Sequence, residues 1–464
     1  MEAQLNRDLD PTQRVAKVQI MSVEELRARV QEVMPGIRQV LEDLVRIESV
    51  SADPERAGEV QRSAEAVAEL FRKEHFDDVQ ILSVDGGAPA VVARKAAPEG
   101  RPTVLLYAHH DVQPVGDPAD WNTPPFEPTE VGDRLYGRGT ADDKAGIAAH
   151  LAAIRALGDD LDVGLTMFIE GEEEIGSDSL PAFLEKHQDL LEADVIVIAD
   201  SGNWDIGVPA LTTSLRGLVR ADIEVRTLTH AVHSGMWGGL VPDALMTLTR
   251  LLATLHTDNG DVAVEGLHSG PAADVDYPED RLRAESGALP GVHWIGEGSA
   301  VERLWTKPAI TITGIDAPKV DGASNTLTPA ARAKITVRVA PGDNAKNATE
   351  CLKRHLEARV PWGADFSFTV VDTGEAIAIN ASGPAYDVAR DAFKQAWDGV
   401  EPVDMGVGGS IPFIAEFLNA FPKASVLVTG VEDPDTRAHG ANEGLHLAEF
   451  ERVCLAEALL LSNL

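Results

Sequence analysis

Apolar residues recur at helical spacing from Val23 to Val45, with Glu and Arg between them, and predict an amphipathic helix. From there to about Leu211, short apolar runs alternate with longer helical stretches. Thr103–Tyr107, Val163–Ile169 and Val195–Ile198 predict buried strands, with helices at Ala145–Ala156 and Leu180–Leu191 between them. Near-continuous apolar strands separated by helices indicate an α/β arrangement in which helices cover a largely parallel sheet.

The texture changes after about Leu215. Leu218–Val225 alternates as a half-exposed strand, and Asp243–Leu255 predicts a strong helix. The stretch from Asp258 to Gly298 is rich in Gly, Pro, Asp and Glu and reads as an irregular insertion rather than core. Strands at Ala309–Ile315, Ala333–Val339 and Phe366–Val371, with a helix at Ala348–Glu357, complete a small α+β sandwich. Helical patterning returns from about Ser382, followed by a strand at Ser425–Val428 and a C-terminal helix. A chain of 464 residues exceeds one ordinary domain. The expected fold class is therefore α/β, with a mostly parallel central sheet flanked by helices and interrupted by an inserted α+β sandwich domain. Residues 1–214 and 379–464 form the first domain in this reading, and residues 215–378 form the insertion.

Composition narrows the partners. The chain carries 75 acidic against 40 basic residues, a formal charge of −35, which repels nucleic acid and anionic membranes. Most of those carboxylates are expected simply to be solvated. Two cysteines, Cys351 and Cys454, are too few for a disulfide framework or a cysteine-based metal site. The first twenty residues include Asp, Arg, Gln and Lys without an apolar core, and no apolar run is long enough to span a bilayer. A cytoplasmic protein is the expectation.

Four segments place ionisable residues just after a strand, where α/β folds collect ligands. In Tyr107-Ala-His-His-Asp-Val112, residues two apart in an extended chain point the same way, so His109 and Asp111 share a direction and His110 faces the other. A carboxylate beside an imidazole fixes its tautomer as metal ligands require. In Tyr136-Gly-Arg-Gly-Thr-Ala-Asp-Asp-Lys144, two aspartates follow a Gly-rich turn ahead of a helix. One of them serves equally well as an N-cap. Neither a dinucleotide fingerprint nor a P-loop is present, which removes nucleotide binding. Ile169-Glu-Gly-Glu-Glu-Glu-Ile-Gly-Ser177 crowds four glutamates into five residues at a strand end, where they repel unless cations compensate. Asp200 ends the apolar run Val195–Ala199. Imidazole and carboxylate donors from successive strand ends suit zinc, manganese or cobalt. His439, in the polar loop Ala438-His-Gly-Ala-Asn-Glu443, is a candidate distant ligand; His446 sits at a helix start and reads as structural.

These motifs resemble the superfamily that contains carnosinase, carboxypeptidase G, aminoacylase and succinyl-diaminopimelate desuccinylase, and most of all its carnosinase-type dipeptidases. The resemblance runs from Leu44-Val-Arg-Ile-Glu-Ser-Val-Ser51 nearly to the C-terminus. It rests on Tyr107, His109-His-Asp-Val-Gln-Pro114, Trp121, Pro125-Phe126, Gly137-Arg-Gly139 and Asp142-Asp-Lys144 at their spacing. It implies two divalent metal ions per subunit, zinc or manganese with cobalt possible, bridged by Asp142. One ion would be held by His109 and Asp200, the other by Glu174 and His439. Asp111 would support His109, Glu173 would be the general base, and a cis peptide would follow the bridging aspartate. Glu172 makes the register of the catalytic pair open to a slip; Ile175-Gly-Ser177 after the pair favours Glu173-Glu174. The inserted domain would act as a lid and dimerisation domain. His233, in Ala231-Val-His-Ser-Gly235, matches a histidine that reaches the substrate carbonyl across a homodimer interface. Arg338, on an alternating strand, would clamp a substrate carboxylate. Gly409-Ser410 and Asn325-Thr326 match substrate-binding loops, with either Asn325 or Thr326 facing the ligand.

The resemblance implies a metal-dependent hydrolase that cleaves dipeptides or short peptides with a free C-terminal carboxylate. An N-acyl- or N-carbamoyl-amino-acid amidohydrolase shares the same metal chemistry, because substrate choice lives in the pocket walls. An inactive scaffold relative would have lost a ligand or the base, and none is missing here.

Overall fold

The computed structural model describes residues 21–271, 273–409 and 412–464. The reading of the first twenty residues and the assignment of Ser410 lie outside the described residues. Among the described residues no helix is long and apolar enough to cross a membrane.

Nine strands form the large sheet. Its centre is parallel, in the order Gly164–Glu170, Thr103–His109, Val195–Ile198, Ser425–Val428. These are the apolar runs of the sequence, and they are buried because helices cover both faces. Alternation along Thr103–His109 shows the division. Val104, Leu106 and Ala108 pack into a core with helices Val23–Val45, Lys144–Leu157, Pro384–Ala396 and Leu447–Asn463. Leu105 and Tyr107 enter the opposite core, with helices Leu180–Leu191 and Pro412–Ala420. Small residues make the first core tight. Ala145, Gly146, Ala148, Ala149, Ala152, Ala153 and Ala156 leave helix Lys144–Leu157 little bulk, so Val23–Val45 and Leu447–Asn463 pack closely along it.

The margins of the sheet mix antiparallel pairings with one parallel pairing, Val403–Val407 on Ala210–Leu215, and were not read from the pattern. Asp78–Leu82 and Ala90–Lys95 form a hairpin on one side. Ala210–Leu215 pairs with Ile377–Ala378 and Val403–Val407 on the other. The polar sequence Ala-Leu-Thr-Thr-Ser-Leu of that strand hides it from a search for apolar runs.

A second sheet is antiparallel, in the order Ala309–Ile315, Ala330–Val339, Gly217–Arg226, Asp365–Gly374. Val219, Ala221, Ile223 and Val225 alternate onto helices Ala244–Ala253 and Ala345–Glu357. The chain passes from one sheet to the other between Leu215 and Gly217. A Cβ at Gly217 would come within 2.6 Å of the Gly374 carbonyl, where the chain returns, so only glycine permits the crossing. The stretch Asp258–Gly298, expected to be irregular, contains helix Glu279–Ser286. That helix buries no residue and so carries no apolar stripe for periodicity to detect.

One buried pair holds the turn Gly137–Asp143 against the C-terminal loop. Arg138 donates to Glu443 at 2.6 Å, and the Glu443 carboxylate also accepts the backbone N–H of Gly139, Ala141 and Asp142. Both side chains are almost completely buried. Removing the cation leaves an uncompensated buried carboxylate, so Arg138→Met should cost about 3–5 kcal/mol in chemical denaturation. A loss below about 1 kcal/mol would show that the pair behaves like a surface ion pair.

Candidate metal centre

The four central strands end at one edge of the large sheet, and the residues beyond their ends converge there. Glu173 and Glu174 come just after Gly164–Glu170, His109 closes Thr103–His109, and Asp200 lies just past Val195–Ile198. His439 lies in the loop beyond Ser425–Val428, and Asp142 sits in the turn before helix Lys144–Leu157. Neighbours in the sheet are thus far apart in the chain.

His109 Nε2 lies 3.0 Å from Asp142 Oδ1 and 3.9 Å from Asp200 Oδ1. His439 Nε2 lies 3.2 Å from Asp142 Oδ2 and 3.2 Å from Glu174 Oε2. Two donor groups result, His109–Asp142–Asp200 and Asp142–Glu174–His439, with the donor atoms of each within 4.8 Å of one another. Asp142 presents one oxygen to each imidazole. One nitrogen and two carboxylate donors per group form a set that divalent cations accept. The Asp142–Asp143 peptide is cis.

Supporting contacts separate the three glutamates. Glu172 turns away, its carboxylate accepting the N–H of Ala88 and Ser179, each at 2.8 Å. Glu174 accepts from Gln113 N and Nε2 at 3.0 and 2.7 Å, and its side chain is 2% exposed. Glu173 lines the open cavity. Asp111 holds the assembly from behind: its Oδ1 lies 3.4 Å from His109 Nδ1, and its carboxylate accepts the N–H of Glu173 and Glu174 at 3.3 and 3.1 Å. His110 faces away and meets the Pro89 carbonyl at 2.8 Å; burial pushes it down to about 4. His446 accepts the Glu449 N–H as a helix N-cap.

The centre's electrostatics are those of uncompensated negative charge. Burial, then the charge of Asp200, pushes Glu173 well above the usual carboxylate range. Burial and Asp142 raise Glu174 in the same way. Asp200 is pushed up to about 6 by burial, with His109 opposing and Asp142 reinforcing. Asp142 is held low against burial by hydrogen bonds from His109 and His439. His439 is driven up to about 11 by its hydrogen bonds to Asp142 and Glu174. Protons here compensate charge that cations would otherwise neutralise.

The donors open on a cavity of about 500 Å³. Asp142, Glu173, Asp200 and His439 line it, together with Trp204, Arg216, Tyr277, Arg281 and Glu432, which sequence reasoning missed. Tyr277 and Arg281 come from the stretch expected to be irregular, where no pattern marks them. Arg281 stacks 4.3 Å over the Trp204 ring, worth about 1 kcal/mol at a partly exposed site. Arg216 did leave a signal, a cation beside a strand end. Among the described residues three arginines are buried. Arg134 pairs with Asp433 and Arg138 with Glu443, whereas Arg216, 8% exposed, hydrogen-bonds among the described residues to the carbonyls of Gly408, Arg303 and Lys307 and to no carboxylate.

The remaining candidates lie elsewhere. His233 and Thr326 face each other in the exposed ladder Val232–His233 with Thr326–Leu327, and the Asn325 carbonyl accepts the Ser234 N–H. His233, Asn325 and Thr326 are thus neighbours, outside the cavity lining. Arg338 is half-buried on Ala330–Val339, opposite Leu218 and close to Arg216, whose charge it opposes. Gly409 follows Gly408, which lines the cavity.

The family model for peptidase family M20/M25/M40 matches residues 105–463. The cysteinylglycine-S-conjugate dipeptidase of Corynebacterium striatum is 33% identical over 428 residues, covering 91% of this chain and 94% of that protein. Human carnosine dipeptidase 1 superposes with a TM-score of 0.76 at 25% identity, covering 95% of this chain and 99% of that one. The di-peptidase Dug1p from Saccharomyces cerevisiae has a TM-score of 0.78 at 23% identity, covering 96% and 99%, which is a likeness of fold. With the family model spanning most of its length and a relative of this identity along nearly all of it, the chain belongs to peptidase family M20/M25/M40.

Proposed function

We propose that this metallopeptidase is a dipeptidase, cleaving dipeptides or short peptides with a free C-terminal carboxylate and using two divalent cations per subunit. One observation carries the reading: His109, Asp142, Asp200, Glu174 and His439 form two donor groups that share Asp142. Relatives named as dipeptidases support a peptide substrate over an N-acyl amino acid. Zinc or manganese is the proposed metal, with cobalt able to substitute.

His109 and Asp200 would hold one cation, Glu174 and His439 the other, with Asp142 between them. When bound, the cations supply Lewis acidity, easing deprotonation of a water and polarising the scissile carbonyl. Glu173 belongs to neither donor group and faces the cavity, so it serves as general base. It takes a proton from the attacking water and delivers it to the leaving amine. Asp111 acts through His109, orienting its ring. Arg338, with no carboxylate within 4 Å among the described residues and close to Arg216, is the proposed clamp for the substrate carboxylate, and Gly409 and Ser410 are proposed to bind substrate as well.

In this proposal residues 1–214 and 379–464 form the catalytic domain, and residues 215–378 form a lid and dimerisation domain. His233, with Asn325 or Thr326, would complete the site of the second protomer of a homodimer. Support comes from the surface beside it. Met236 and Leu240 are 75% and 81% exposed, with Trp237 between them, an apolar patch suited to a protein interface. The proposed setting is the cytoplasm.

Glu173→Gln should lower turnover by about 100- to 10,000-fold while metal content by mass spectrometry stays at the wild-type level. Normal hydrolysis, or a variant that loses its metal, would remove Glu173 as the base. Chelated protein should be inactive and regain cleavage of free dipeptides when reloaded separately with zinc, manganese or cobalt. Preference for N-acetyl or N-succinyl amino acids in that screen would overturn the dipeptidase reading. In sedimentation the protein should run as a dimer, and His233→Ala should lower kcat by about 100- to 1,000-fold without dissociating it; a fully active monomer would contradict both roles.

A further inference from the structure

Glu432 lines the same cavity as Asp142, Glu173, Asp200 and His439, yet the chemistry assigned above leaves it unused. Its backbone is firmly placed. Gly202 and Glu432 form a parallel bridge, the Glu432 carbonyl accepts the Asn203 N–H at 2.8 Å, and the Glu432 N–H donates to Ser201 O at 3.4 Å. The segment after Asp200 thus lies directly against the segment that carries Glu432. Gly430 makes that approach possible, because a Cβ there would fall 1.7 Å from the Ser201 carbonyl oxygen.

The surrounding carboxylates are spoken for. Asp433 pairs with Arg134, Glu443 with Arg138, Glu172 with backbone N–H groups and Glu174 with Gln113. Among the described residues the Glu432 carboxylate, by contrast, has no hydrogen-bond donor and no ion pair within 4 Å, feels only the more distant charge of His439, and belongs to neither donor group. Positive charge at the two groups compensates Asp142, Asp200 and Glu174. Glu432 is then the anion left facing the substrate.

We propose that Glu432 receives the protonated amine of the substrate's N-terminal residue and so makes a free amine a requirement for cleavage. An ammonium brings three donors and a full charge to a half-buried carboxylate, the stronger class of hydrogen bond. An acylated or absent amine leaves Glu432 desolvated and unpaired, which penalises that ligand. Selection against N-acyl amino acids would then reside in one side chain. This inference rests on the dipeptidase reading.

The test compares alanyl-glycine with propionyl-glycine, the same amide without the amine, on wild-type protein and Glu432→Gln. Propionyl-glycine is followed as substrate, or as competitive inhibitor where turnover is too slow. Glu432→Gln should lower kcat/KM for alanyl-glycine on the order of 100-fold, chiefly through KM. It should leave propionyl-glycine affinity unchanged or raise it, and keep wild-type metal content and melting temperature. Retained preference for the free amine would overturn the proposal, and so would equal losses on both ligands or a loss of metal. Wild-type protein that cleaves propionyl-glycine but not alanyl-glycine would instead overturn the dipeptidase reading itself, an outcome visible before any variant is made.

Discussion

Repulsion among carboxylates is the constraint on which the rest of the molecule turns. Asp142, Glu173, Asp200 and Glu432 line one cavity with Glu174 beside Asp142, and His109 and His439 are the basic groups set directly among them, Arg216 and Arg281 standing elsewhere on the cavity wall. Each carboxylate there, apart from the doubly hydrogen-bonded Asp142, is driven toward its neutral form. Such a cluster costs folding free energy and persists only where something positive offsets it. The metal chemistry of the family and this excess charge are one fact seen from two sides.

The scaffold's part is to hold the acids in place without neutralising them. It does so with backbone N–H groups and with cations set further back. Asp111 is tied to the Glu173 and Glu174 amides, and Glu443 to the Gly139, Ala141 and Asp142 amides, with Arg138 behind. These contacts fix position while leaving the cavity-facing oxygens free. The parallel centre of the sheet adds the remaining order, because four adjacent strand ends can bring together residues that the chain keeps far apart.

Much of this was legible in the sequence where a physical signal was local. Buried strands such as Val195–Ile198 show as apolar runs, and the helix Val23–Val45 as a stripe, because burial on a fixed face dictates residue type. The candidate ligands stand out as ionisable residues at strand ends. What stayed hidden had no local signature. The polar strand Ala210–Leu215 draws its stability from neighbours, and helix Glu279–Ser286 buries nothing. Tyr277 and Arg281 matter only through a cavity made by distant segments, and Glu432 looks like one more acid in an acidic chain. His233, Asn325 and Thr326 assemble by strand pairing across nearly a hundred residues, which no periodicity forecasts.

The two donor groups are unequally wet. His109 is wholly buried, while the His439 side chain is 61% exposed at the rim. A cation on the His439 side would trade places with bulk solvent far more readily than one lodged beside His109 and Asp200. Occupancy of the outer position would therefore follow the supply of free metal around the protein more closely than that of the inner one. Were both groups to bind a cation, such an asymmetry would give one chain a long-lived ion and another that answers to its surroundings.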